Sequence, residues 1–62
     1  MIKYCIMCEL EIWLDDGGKD YVWVEFDGVY YNSYEDALSW KHHYLDCPKY
    51  AGEVLQIWEK EV

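Results

Sequence analysis

Residues 2–14 alternate almost without error between two kinds of side chain. Ile2, Tyr4, Ile6, Cys8, Leu10, Ile12 and Leu14 fall on one parity; Lys3, Cys5, Met7, Glu9, Glu11, Trp13 and Asp15 fall on the other. Successive side chains of a strand point to opposite faces. The stretch therefore predicts one long strand with an apolar underside and an acidic upper side. Its apolar side must be covered by another element, and its acidic side is free to meet water or a partner.

The other elements follow from turn chemistry and periodicity. Asp15-Asp16-Gly17-Gly18-Lys19-Asp20 is dense in turn formers and predicts a hairpin. It lacks the spacing and the distal glutamate of an EF-hand calcium loop. Tyr21 to Asp27 alternates again, with Val22, Val24 and Phe26 inward and Tyr21, Trp23, Glu25 and Asp27 outward. Asp27-Gly28 is the preferred pair for a two-residue type I′ turn, whose central residues both take positive φ. That predicts a short third strand with Val29 and Tyr31 inward and Tyr30 outward.

Ser33 reads as an N-cap, with Asp36 in the capping-box position, for a helix from Tyr34 to about Asp46. At 100° per residue Tyr34, Ala37, Leu38, Lys41, Tyr44 and Leu45 gather on one side of it. Pro48 stops the helix, and Cys47 to Gly52 forms a return loop. Glu53 to Val62 predicts a last strand, apolar on both parities and so covered on both sides.

The expected fold is a single α+β domain over residues 1–62. Its order is β-β-β-α-β, giving a four-stranded, mostly antiparallel sheet in spatial order 4-1-2-3. The last strand returns parallel to the first, and one helix lies on one face. One helix covers only one face. The open face would display Met7, Glu9, Glu11, Trp13, Tyr21, Trp23, Glu25, Asp27 and Tyr30, which are the candidate partner-binding residues. Trp, Tyr and Met are enriched where proteins meet, and a large contiguous exposed apolar group marks an interface.

Charge narrows the partner. Thirteen acidic residues face five lysines and no arginine, for a net charge of −8. Nucleic acids and anionic membranes are bound through Lys and Arg, so neither is expected as a direct ligand. The expected partner is a host or cellular protein with a basic surface, including a nucleic-acid-binding site that acids occupy in place of phosphate. A homodimer through the same face is the alternative. No run of about 18–20 apolar residues or signal peptide is evident. Three cysteines leave an odd thiol, which fits a reducing cytoplasm, or a host cytoplasm if the chain is viral.

Two resemblances bear on function. Cys5-x2-Cys8, with Tyr34-x5-Trp40-x2-His43-x3-Cys47, resembles the CCHC variant of the zinc-finger family. The resemblance implies one zinc held by Cys5, Cys8, His43 and Cys47. Against it, Cys5 and Cys8 lie on opposite parities of the predicted strand, and the basic helix of a DNA-reading finger is absent. No cofactor is expected, with zinc as the alternative. The size, acidity and exposed aromatic sheet resemble the small acidic inhibitors that bacteriophages direct at host proteins, some of which mimic nucleic acid. That resemblance implies a non-enzymatic inhibitor acting by binding. No paired nucleophile and base, phosphate-cradling glycine loop or arginine is present to suggest catalysis.

Overall fold

The computed structural model describes residues 1–62. Strand β1 (Ile2–Trp13) is followed by β2 (Lys19–Glu25), helix α1 (Tyr34–Asp46), a 3-10 turn (Pro48–Tyr50) and β3 (Leu55–Glu61). The sheet has three strands in the order β2-β1-β3, and both pairings are antiparallel. The long opening strand is central, as its length predicts. The expected fourth strand, the order 4-1-2-3 and the parallel return of the last strand are all overturned.

One local difference at Asp27-Gly28 accounts for all three. Gly28 takes φ +70, but no residue other than glycine has positive φ, so the two-residue type I′ turn does not form. The Asp27 carboxylate instead accepts the Val29 N–H at 3.1 Å, and the chain bends without reversing. It rejoins β1 at a single antiparallel bridge, where Tyr4 and Tyr31 exchange N–H···O bonds of 2.9 and 2.7 Å. The predicted third strand is thus a continuation of the descending β2 path. With one reversal removed, the helix climbs where it was expected to descend, and β3 runs against β1.

The first hairpin, the helix and its cap form as read, but the last strand is shorter than Glu53–Val62 and is not covered on both sides, and Val29, expected inward, is exposed. The first hairpin closes through Leu14 N–H to Gly18 C=O at 2.9 Å, with Gly17 at φ +87. Ser33 caps α1 by accepting the Asp36 N–H at 3.2 Å. The helix lays Ala37, Tyr44 and Leu45 toward the sheet; Ala37 joins Ile6, Tyr31 and Leu55 in the buried core. Tyr4, Cys8, Phe26, Tyr44, Leu45 and Ile57 pack around it. Phe26 stacks edge-on against both Tyr44 and Tyr50, which fixes the loop after β2 to the helix end.

Lengths decide how far this core extends. A 12-residue strand spans about 40 Å, whereas a 13-residue helix spans about 20 Å. The helix touches β1 and β3 but not β2. The two neighbours of β1 are also offset: β3 pairs with Ile2–Cys8 and β2 with Met7–Trp13, overlapping only at Met7 and Cys8. The far half of the hairpin therefore stands beyond both helix and β3 as an arm. The molecule measures 41 × 30 × 13 Å, and its 13.4 Å radius of gyration exceeds the roughly 10.6 Å of a compact chain this long.

Candidate binding face

The registers place every side chain of the sheet on one of two faces. Opposite the helix lie Lys3, Cys5, Met7, Glu9, Glu11 and Trp13 of β1, with Lys19, Tyr21, Trp23 and Glu25 of β2. Strand β3 adds Gln56, Trp58 and Lys60. Eight of the nine predicted residues share this side, since Tyr30 reaches it through a 2.8 Å hydrogen bond from its hydroxyl to Glu25. Asp27 does not. It accepts hydrogen bonds from the Tyr31 and Tyr44 hydroxyls on the helix side, so the outward position predicted for it is corrected. The alternation that placed Asp27 outward ends at Glu25, where β2 ends.

The face divides into two regions of different character. Nearest β3, Trp23 and Trp58 meet across β1, and beneath them Cys5 is 2% and Met7 7% exposed. Met7 therefore supports the aromatic pair rather than offering itself to a partner. Glu25 accepts from Tyr30 and pairs with Lys60 at 3.3 Å. Those two contacts, the tyrosine bond first, hold its carboxyl below the usual carboxylate range, and the bond to Glu25 raises the Lys60 ammonium. Burial, followed by the charge of Glu25, pushes the Cys5 thiol up, so it is a poor nucleophile. This end is a small second core with a polar clasp.

The other region is the arm, and it is open. Trp13 is 68% exposed and Tyr21 more than half exposed, with Glu11 between them in space and Glu9 adjacent. Lys19 is the one cation of this region. It sits 3.5 Å from the Glu11 carboxylate and 5.1 Å from the centre of the Trp13 ring. A carboxylate and an indole face together form a ready receptor for a cation.

Sequence reasoning missed two features. Trp58, Gln56 and Lys60 join the face because the β3 register sets them opposite Cys5, Met7 and Lys3 respectively. The apolar underside of the arm is also bare: Leu10 is 49% exposed, and Leu14 is nearly as open. The signal available was the difference in length between the first strand and the helix meant to cover it.

The four zinc-finger positions do not converge. Cys8 faces the helix side and Cys5 the opposite side, so one ion cannot take both. Cys47 caps the helix end, and nowhere are three or more His, Cys, Asp or Glu residues grouped to hold a metal. The surface carries no pocket, and no helix is long and apolar enough to cross a membrane. Compared with family models, curated proteins and solved structures, the chain matches none.

Proposed function

We propose that this chain acts by binding a basic protein surface through the arm, with Trp13 and Tyr21 as apolar anchors and Glu9 and Glu11 as the charged complement. The observation that carries the reading is Lys19. The arm already holds one cation between a carboxylate and an indole, the chemistry that a lysine or arginine of a partner would meet there. The net charge of −8 supports the same choice, because it favours encounter with positive surfaces and disfavours nucleic acid itself. A slab 13 Å thick without a pocket supports binding over catalysis, which needs a site shielded from water.

Within that reading the chain is a small acidic inhibitor of the bacteriophage type, whose carboxylates stand where a nucleic-acid-binding protein expects phosphates. The test has two stages. Proteins retained from bacterial lysate by the parent and by a Trp13→Ala, Glu11→Lys double variant are identified and compared at low and high salt. Any protein lost with the variant is then purified and challenged with DNA as competitor. Loss on the variant, weakening with salt and displacement by DNA are expected. Equal capture by parent and variant would remove the arm from consideration.

A further inference from the structure

The arm leaves more than side chains open; it leaves backbone. The Ile6 C=O accepts from Phe26, and Tyr4 and Leu14 bond with Tyr31 and Gly18, so even-numbered residues of β1 turn their backbone groups toward β2. Odd-numbered residues turn toward β3, as the Glu9 N–H to Val54 C=O bond of 3.2 Å shows. Pairing with β3 ends at Cys8. The N–H and C=O groups of Glu11 and Trp13, together with the Glu9 C=O, therefore point into a notch with no strand in it. The notch continues the line of β3 along the open edge of β1.

We infer that this notch receives an extended segment of the partner as an added strand, hydrogen-bonded to Glu11 and Trp13 and alternating basic with apolar residues. The inference rests on the binding role proposed above and specifies its mode. The two faces of β1 dictate the alternation. A residue opposite Glu11 lies on the acidic side, beside Glu9 and Trp13. Its neighbours along the strand lie on the other side, beside exposed Leu10 and half-buried Ile12. On β2 the residue opposite Glu11 is Tyr21; Lys19 lies opposite Trp13 and reaches the Glu11 carboxylate, the cation geometry that a basic residue of the added strand opposite Trp13 would repeat.

Charge selects the occupant. A second copy of the chain would bring acids of its own β1 against Glu9 and Glu11, which like-charge repulsion opposes. Acids along an open edge disfavour self-pairing while leaving it available to a basic strand.

The experiment uses the full chain and a short capped peptide alternating lysine and valine. A twin of the peptide, N-methylated on the bonding edge, keeps the charges but cannot pair, and a glutamate–valine twin reverses the charge. Binding is read by tryptophan fluorescence, and amide exchange is read residue by residue. The lysine peptide should bind and slow exchange at Glu11 and Trp13. N-methylation should weaken it about tenfold or more, and the acidic twin should not bind. Glu11→Lys should exchange the preferences of the two charged peptides. If the N-methylated twin binds equally and both amides exchange freely, strand addition is wrong while side-chain binding on the arm stands. If neither basic peptide nor polylysine binds, both fall. Protection of the two amides in the chain alone, with a doubled mass, would assign the notch to a second copy and overturn the inference.

Discussion

Trp23 and Trp58 meet across the central strand with ring centres 5.8 Å apart and planes inclined by 44°. They come from opposite neighbours of β1. Trp58 is paired with Cys5 and Trp23 with Glu9, so the contact lies above Met7. The pair does for this face what the helix does for the other: it removes a sulfur and a thioether from water.

Removing one ring should open that cover. Trp58→Ala is expected to cost about 2 kcal/mol, less than a fully buried tryptophan because the ring is partly exposed. It should also make Cys5 the fastest-gaining thiol toward a disulfide reagent, since burial is what chiefly protects it. Urea midpoints and mass-mapped labelling check both. An unchanged rate at Cys5 would show that the rings do not shield it.

Glu25 should impose an acid dependence on stability. Its carboxyl titrates lower in the folded chain than in the unfolded one, because Tyr30 and Lys60 bond its ionised form. The stabilisation is therefore present above the ordinary carboxylate pKa of about 4.3 and is lost as pH falls through the folded value. The effect is small, since the pair is exposed and screened by salt. Comparing urea midpoints near neutral and acid pH, Glu25→Gln should fall less than the parent.

Tyrosines set the alkaline limit. Tyr31 and Tyr44 are raised first by burial and then by Asp27, and Tyr30 is raised by its bond to Glu25. Groups raised on folding stabilise fully below the unfolded value of about 10, and this is lost as pH rises through the folded values. An absorbance titration should show these three of the seven tyrosines ionising late. Tyr31→Phe should remove one of the late group and leave Asp27 with the Tyr44 hydroxyl and the Val29 N–H.

Gly28 should be sensitive for its backbone alone. A Cβ there meets nothing within 4 Å, yet φ +70 is a conformation that side chains resist. Gly28→Ala is expected to cost about 1 kcal/mol through strain without a clash. A neutral result in thermal unfolding would mean that this bend is free to relax.

How legible was this molecule in its residues? Short-range rules served well where one physical effect dominated. The long first strand, the Asp15–Gly18 turn and the Ser33 cap each formed, although the strand's two faces are not buried and open as simply as its alternation implies. Asp27-Gly28 misled because its usual meaning depends on a following strand long enough to fold back. Val29–Tyr31 offers too little, and the Tyr31 and Tyr44 hydroxyls draw Asp27 toward the helix instead. The parity of the open face was correct for β1 and β2, since it needs only the two-residue period. Its subdivision was not legible, because Trp58 crosses the sheet from the far end of the chain.

The offset pairing of β1 also sets an order of assembly. Hairpin β1–β2 joins residues close in sequence and closes within microseconds, whereas β3 must bring Glu61 back to Ile2 against a large loop-closure entropy. Until β3 docks, the whole edge of β1 from Lys3 to Trp13 is bare, and the gap that persists in the finished fold is only its last part. Lys3 at one end, with Glu9 and Glu11 toward the other, thus carry charge along the edge during the interval when unwanted strand pairing between nascent chains is easiest.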